Sequence, residues 1–332
     1  MSGRLAELDA FARKPLRRVL DRLVASPRLP FEARSRLRWR QEQGTWIARR
    51  PAEFTEKVRW KMLKDRRELI VTFADRVAVR DYVARVAGSD CLSDCYAIVS
   101  DVADLESLSL PRQFAAKSSH GSGGMWMVTD SAPLEGWVLP GDGPMPAPPA
   151  VPDGWCWVRV RPDRLDREQL VASFRRWLSS SYGLDHVEWA YTRVPPRVLV
   201  EELLVTPAGG QPAEYKFFVF HGRVEALYVD VDRYVNHRRN FYSRDWTPLH
   251  VSKDRYPRGE VRPRPDSFDR MLEIAERLAQ ETDFVRVDLY DVDGRIVFGE
   301  LTNYPSGGFK NWSPPSYDLE LGKRWVLPRR YA

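Results

Sequence analysis

An α+β fold is predicted by three features of the sequence. Helical periodicity runs through the first 90 residues or so. Short β-rich runs take over from Tyr96. The tight turns His221-Gly222 and Asp293-Gly294 join consecutive runs, which makes antiparallel hairpins and argues against a doubly wound parallel sheet.

The composition supports a folded chain. Of 332 residues, 43% are hydrophobic and 30% charged, which excludes wholesale disorder. No apolar run reaches the roughly 18 residues of a membrane span. The opening MSGRLAELDAFARKPLRRVL lacks a secretory signal, so a cytoplasmic location is expected. Cys91, Cys95 and Cys156 are too few for a disulfide framework, and a Cys-x3-Cys pair without further ligands is a poor zinc signal; all three read as structural thiols.

The net charge of +6 is unevenly spread. Residues 1–50 hold 13 Lys and Arg against 5 Asp and Glu, a net of +8, whereas the other 282 hold 39 against 41. That basic front lacks interleaved aromatics or a reader motif, so nucleic acid is not an expected partner. Leu5, Leu8, Ala12, Leu16, Val19, Leu20 and Leu23 form a helical stripe within it. The stripe is expected to dock on the protein's own core, with a membrane-surface or protein contact through residues 1–48 left open.

The elements follow in order. Phe54, Val58, Met62 and Leu63 mark a helix to about Lys64. Val77, Val83 and Val86 mark a third from about Phe73 to Ala87, stopped by Gly88. Strands are expected at Tyr96–Val99, Phe114–Lys117 and Met125–Thr129. Between Pro133 and Pro152 stand seven prolines and three glycines, a composition expected to hold no regular element. Leu165–Tyr182 has helical spacing and Arg197–Leu204 reads as a buried strand. Tyr215–Phe220, Val224–Asp232, Phe284–Tyr290 and Ile296–Thr302 are further strands, with a helix at Ser267–Ala279.

Four segments carry chemistry. In the hairpin closed by Asp293-Gly294, a two-residue turn sets Asp288 opposite Gly299 and beside Glu300, and a local bulge would bring both carboxylates and Arg286 to one face. Paired carboxylates need a cation, and hard oxygen ligands beside a phosphate suit Mg2+; a salt-bridged surface hairpin is the plain alternative. Lys117 ends a strand before the Gly/Ser loop His120, Gly121, Ser122, Gly123, Gly124, a shape that can cradle phosphate, although no Walker A pattern is present. Glu201 and Glu202 end an apolar strand, where they suit the adenine amino group and ribose hydroxyls. Lys216 lies inside an apolar strand and needs an anionic partner, a role a phosphate would fill.

Taken in order, Lys117 with its glycine loop, Glu201-Glu202, Lys216, Arg286-x-Asp288 and Glu300 resemble the ATP-grasp superfamily. The phrases PAEFTEKVRW, ADRVAVRDYV, RVLVEELL, EYKFFVFHGRV, RRNFYSRDW and FVRVDLYDVDGRIVFGELTNYPSGG resemble its teichuronopeptide-biosynthesis (TupA-like) branch over about residues 50–325. The resemblance implies two α+β subdomains with antiparallel sheets clamping ATP, preceded by a helical N-terminal region. The divisions are then a basic helical extension at 1–50, a helical region at 51–110, a lid subdomain at 111–200 with the insertion 133–152, and a metal-binding subdomain at 201–332. By the same resemblance Lys117 and residues 120–124 close over the phosphates as a mobile lid, and Glu201 and Glu202 hold adenine and ribose. Lys216 touches phosphate, Asp288 and Glu300 bind Mg2+, and Arg286 stabilises an acyl-phosphate and the tetrahedral intermediate.

Two departures stand out. Related proteins carry Asp-Lys where this chain has Asp75-Arg76, so Arg76 replaces a nucleotide-contacting lysine. An Asn that completes many ATP-grasp metal sites is Thr302 here, with Asn303 one step later. The substrate end is read at Arg233, Arg239 and Asn240, a polar run leaving a strand, and at Ser306, Gly307 and Gly308, where glycine permits close approach. The implied activity is an ATP-dependent carboxylate–amine ligase working through an acyl-phosphate, in surface-polymer or specialised-metabolite synthesis. A kinase on the same scaffold and a nucleotide-binding module without turnover are the alternatives.

Overall fold

The structure is a computed structural model that describes residues 19–134, 137–140, 155–231, 237–253, 256–309 and 312–331. Two six-stranded sheets make up its frame. The first contains β1 (Cys95–Val99), β2 (Phe114–Ser118), β3 (Met125–Val128), β4 (Trp137–Pro140), β5 (Cys156–Val160) and β6 (Val198–Glu201), in the order β1-β6-β2-β3-β5-β4. Its neighbours run antiparallel except β3 and β5, which are parallel. Alternation along β2 sorts its side chains. Phe114 and Ala116 join a core with Phe174 and Trp177 of the Arg167–Ser179 helix, while Ala115 and Lys117 face a cleft. That helix starts where Asp166 accepts the backbone N–H groups of Glu168 and Gln169.

The second sheet contains β7 (Glu214–Phe220), β8 (Arg223–Val231), β9 (Arg238–Ser243), β10 (Pro248–Leu249), β12 (Phe284–Val292) and β13 (Arg295–Thr302), ordered β10-β9-β8-β7-β12-β13. A two-stranded ribbon pairs β11 (Ser252–Lys253) with β14 (Trp312–Ser313). Every residue of β7 is buried because both faces are covered. Phe217, Val219, Val285, Val287 and Leu289 lie under the Phe268–Leu278 helix. On the other face Phe218, Phe220 and Phe284 surround Phe54 of the Phe54–Lys64 helix, with ring centroids 5.6, 5.9 and 5.1 Å away. The C-terminal Ser316–Lys323 helix closes this layer: Asp318 accepts from the Thr55 backbone N–H (3.0 Å) and hydroxyl (2.6 Å).

Expected strands and helices recur within a few residues of their predicted bounds, with two differences. The helix expected over 73–87 is two helices, Glu68–Ala74 and Ala78–Val86. Asp75 breaks it, because its buried carboxylate accepts the Val77 backbone N–H (2.9 Å) and pairs with Arg197, a local bond that competes with helix continuation. The proline-rich stretch does hold a regular element, β4, which sits at a sheet edge where a terminal proline costs no ladder bond; residues 135–136 and 141–154 lie outside the described residues. Most of the leucine stripe, residues 1–18, also lies outside them, while 19–25 are helical.

Beyond the stripe, whose described residues Val19 and Leu23 are exposed, the basic front packs on the body. In the Phe31–Gln43 helix Trp39 is fully buried with Ile47 and Leu63. Arg34 Nη2 donates to the Leu184 carbonyl at 2.7 Å. All three cysteines are free thiols, Cys91 and Cys156 buried and Cys95 exposed. Among the described residues no helix is long and apolar enough to cross a membrane.

Because Phe54 fills the space between three sheet aromatics and Trp325, Phe54→Ala is expected to remove about 3–5 kcal/mol of stability. Thermal melting followed by circular dichroism checks this, and an unchanged melting temperature would mean that the helix is not part of the same cooperative core.

Candidate active site

The site begins with the face of β12 that carries Phe284, Arg286 and Asp288 at alternate positions. Across from them on β7 stand Phe220, Phe218 and Lys216. The shared face is therefore aromatic at one end and charged at the other. On the other side, β13 pairs Asp288 with Glu300 and Arg286 with Thr302. The two-residue turn holds near the tip, where Val292 pairs with Arg295. A bulge between Asp288 and Leu289 then shifts the register, so Glu300 rather than Gly299 lies opposite Asp288. Gly299 suits the bulge: a Cβ there would come within 3.1 Å of the Asp288 carbonyl oxygen.

Arg286 joins the group. Its Nε and Nη2 donate to Asp288 Oδ1 and Oδ2, both at 2.7 Å, and Nη2 also donates to Glu300 Oε1 (2.8 Å) and Thr302 Oγ1 (2.9 Å). Lys216 Nζ pairs with Asp288 Oδ2 and with Glu214 Oε1 at 2.6 Å. Lys216 thus has two anionic partners within the protein. The Asp288 side chain is fully buried, whereas that of Glu300 keeps a third of its surface exposed. Burial pushes the Asp288 carboxyl up against the pull of Arg286 and Lys216. Burial acts on Glu300 too, but Arg286, Lys216 and Arg76 outweigh it and hold its carboxyl well below the usual range. Of the two carboxylates, Glu300 is the one that faces open space.

Between the two sheets runs a cleft lined by Lys117, Met125 and Met127 from one and by Glu214, Asp230, Tyr290 and Phe298 from the other. Glu201, with Leu203 and Leu204 beyond it, forms its end. Glu201 is buried and fully engaged, by Lys117 Nζ (2.5 Å), the Ser93 hydroxyl (2.6 Å) and Arg80 (3.3 Å). Glu202 holds Arg295 through both oxygens (2.8 and 3.0 Å), a tie between the two sheets. Both acids expected to read adenine and ribose are thus committed to protein cations, and Arg80 is a site residue that the sequence reading missed. Arg76 closes the inner end: Nη1 donates to the Ser118 (2.7 Å) and Gly121 carbonyls, and Nη2 lies 3.5 Å from Glu300 Oε2.

The glycine loop is packed more than open. His120 and Gly121 are buried, and His120 stacks edge-on against Trp155 at 5.3 Å. Burial lowers the His120 pKa below its ordinary value. A Cβ on Gly121 would meet Tyr182 and Trp155 at 2.7–2.9 Å, and one on Gly124 would meet Ser118 and Trp155 at 2.9 Å. These glycines are required by close aromatic approach. Gly123 takes φ +90°, and Ser122 lines a second, wider cavity.

That second cavity adjoins the cleft at Glu300 and is also lined by Arg286, Thr302, Ser306 and Gly307. Ser306 and Gly307 hold consecutive positive φ values of 51° and 60° and turn their backbone into it. Gly308 instead packs on Val58 and Arg59, so it serves the fold. Arg38 and Glu42 of the front helix and Glu188 complete the wall. Nothing in the spacing of the basic front signalled that contribution.

The expected acceptor run divides differently. Arg233 lies outside the described residues. Arg239 is buried in a paired contact with Asp230 (2.7 and 3.0 Å), between the rings of Tyr228 and Tyr256 at 4.2 and 4.6 Å. Asn240 donates to the Glu260 carbonyl (2.6 Å) and accepts the Gly259 backbone N–H (3.1 Å). Both residues belong to β9 and fasten a neighbouring segment, so neither is free to read a substrate.

Burial alone would raise the Asp230 carboxyl, yet His237 and Arg239 hold it well below the usual range. A depressed folded pKa contributes stability above the unfolded value of about 3.9 that is lost as pH falls below it. Asp230→Asn is expected to cost about 3–5 kcal/mol at neutral pH by leaving Arg239 unpaired. Urea unfolding over a pH series checks this: the gap between variant and wild type should narrow as the medium is taken below about pH 4, and a gap independent of pH would refute the assignment.

The chain resembles several solved structures. D-alanine–D-alanine ligase from Bacillus anthracis aligns with 70% of this chain and 56% of its own, at 13% identity and a TM-score of 0.33. The Helicobacter pylori enzyme of that name aligns over 83% and 70%, at 11% identity and a TM-score of 0.38. The ATP-grasp ligase PsnB complexed with minimal precursor aligns over 71% and 53%, at 9% identity and a TM-score of 0.35. The chain spans little more than half the length of the first and last of these. No curated protein matches it. The model for TupA-like ATPgrasp proteins matches residues 157–326, just over half the chain and all of the Arg286, Asp288 and Glu300 constellation. With the two sheets and the cleft between them, this match identifies the chain as a member of the TupA-like ATP-grasp family.

Proposed function

We propose that the protein is an ATP-dependent ligase that phosphorylates a carboxylate and couples the resulting acyl-phosphate to an amine. One observation carries the reading: Glu300 lines both the inner end of the inter-sheet cleft and the wider polar cavity, in which Arg286 stands beside it. A nucleotide in the cleft would present its terminal phosphate to an acid held in the cavity. Lys117 and Arg76 line the path between, each tied to a carboxylate that an incoming phosphate can displace. Leu203, Leu204, Met125 and Met127 offer an apolar seat for the base.

The donor set suits Mg2+ in part. Among the described residues no three acids or histidines cluster as a metal cage, but Mg2+ is commonly held by one or two carboxylates together with substrate phosphates. Glu300, with the Thr302 hydroxyl 3.0 Å from its Oε1, is the exposed ligand. Asp288 supports it from beneath, since both its oxygens already meet charged donors. When bound, the ion supplies neutralisation of phosphate charge. Arg286 orients Glu300 and presents a fixed guanidinium toward the cavity, where negative charge builds as the acyl group transfers.

The Arg286 fork cannot be replaced by a single ammonium. Arg286→Lys is expected to lower kcat by about 10²–10³, while ATP affinity by calorimetry stays within about threefold; equal losses in both would assign Arg286 to nucleotide binding. The reading itself is tested by incubating enzyme, ATP, Mg2+ and a panel of amino and sugar acids with hydroxylamine. Hydroxamate is the expected product. A stable phosphorylated alcohol with no hydroxamate would make the enzyme a kinase, and ATP binding without turnover would make it a binding module.

A further inference from the structure

We infer that Glu188 is the acceptor carboxylate of this site: it binds the incoming amine as its ammonium and takes the first proton that the nitrogen must lose. The inference rests on the ligase reading and adds the chemical class of its second substrate.

Glu188 lines the wider cavity with Tyr191, Arg286, Glu300 and Gly307. The other carboxylates around the two cavities are committed. Asp288 and Glu300 hold Arg286, Glu201 holds Lys117, Glu214 holds Lys216, and Glu42 holds Arg38 at 3.1 Å. The Glu188 carboxylate has no hydrogen bond or ion pair among the described residues. The cation that acts on it, Arg59, does so through charge alone: its Nη2 donates to the Ser35 carbonyl (3.3 Å), and its guanidinium lies over the Phe309 ring at 4.7 Å. A carboxylate beside a cavity wall with no hydrogen-bond donor is costly unless a ligand completes it.

The backbone presents it deliberately. The Tyr182–His186 helix ends at Val187, a buried β-branched residue in the left-handed region (φ 56°, ψ 48°), a conformation such residues rarely adopt. The Glu188 backbone N–H donates to the Gly183 carbonyl at 3.0 Å. Gly183 has no room for a Cβ, which would stand 2.4 Å from the Thr192 nitrogen. The turn is thus fixed on both sides. Gly307 adjoins the carboxylate, since a Cβ there would lie in ordinary contact with Glu188 Oε1, at 3.5 Å.

The surroundings tune the group. Burial pushes the Glu188 carboxyl up to about 7, against the pull of Arg59, which suits a proton acceptor at neutral pH. Tyr191 and His186 face the same cavity from its own turn, Arg38 and Glu42 from the front helix, Arg286 and Glu300 from the second sheet, and Tyr304 from just beyond it. In the step, the ammonium gives one N–H proton to the Glu188 carboxylate. The freed lone pair forms the C–N bond to the acyl carbon while the C–O bond to phosphate breaks. The departing phosphate keeps that electron pair and takes the second N–H proton, which leaves an amide and hydrogen phosphate.

The test titrates full-length protein, loaded with Mg2+ and a non-hydrolysable ATP analogue, with a panel of amino-acid amides, cations that lack a carboxylate. Wild type is expected to bind at least one amide. Glu188→Gln should weaken that binding about tenfold or more and Glu188→Asp should restore part of it, while analogue affinity stays unchanged in both and so certifies their folding. Equal binding by wild type and Glu188→Gln overturns the assignment, as does failure of wild type to bind any amide. The hydroxylamine assay separates the two readings, because neutral hydroxylamine needs no base. Hydroxamate formed equally by both enzymes supports the role given to Glu188, and hydroxamate lost in Glu188→Gln argues against it. Absence of hydroxamate from both would sink the ligase chemistry and leave the ammonium site to stand on the titration.

Discussion

The architecture depends on a charged cluster buried at the end of an aromatic layer: Arg286 and Lys216 gripping Asp288 between two strands. Isolated, any one of these groups would be prohibitive to bury in that sheet. Together they are closed, because each Asp288 oxygen meets a charged donor and Lys216 has Glu214 as a second anion. The cluster therefore fixes the register of three strands at once. It also decides which acid remains available, since Glu300 is reached by the same guanidinium from the edge strand and keeps its outer side free.

The rest of the site repeats this arrangement with weaker locks. Lys117 is held by Glu201 and Arg76 reaches Glu300 at 3.5 Å, and neither cation is wholly buried. These pairs place positive charge along the cleft without leaving it bare. A triphosphate offers each cation a denser anion than a single carboxylate and can compete for it. The interior pairs around Asp288 cannot be exchanged in that way, because the Asp288 side chain itself is fully buried. Depth therefore divides the ion pairs into those that hold the sheet and those that a nucleotide can take over.

The same division explains what could be read from the sequence. The hairpin arithmetic located Arg286, Asp288 and Glu300 together because a tight turn and a period of two leave little freedom; even the bulge was needed to bring Glu300 into place. Lys216 showed in the sequence as a cation that required an anion, but a single chain cannot say whether the anion is a ligand or a residue 72 positions away. Arg239 and Asn240 looked like a recognition run and are sheet residues, since burial of a polar strand depends on what covers it. Asp75 broke a helix whose periodicity continued past it. The part played by Arg38 and Glu42 was beyond reach, because docking of the front helix is a tertiary event with no local signature.

The glycine loop shows how far composition can mislead about motion. Gly and Ser in series suggest a hinge, yet here Gly121 and Gly124 are small so that Trp155, Trp177 and Tyr182 can close around them. Arg76 further ties the loop to the strand end at Ser118. A loop packed in this way cannot swing by itself without exposing three aromatic rings. Any opening that admits a nucleotide must then carry β2, β3 and the Trp155 segment together, with the weak Arg76 contact to Glu300 as the seam that parts first. The packing thus argues against a motion confined to the loop.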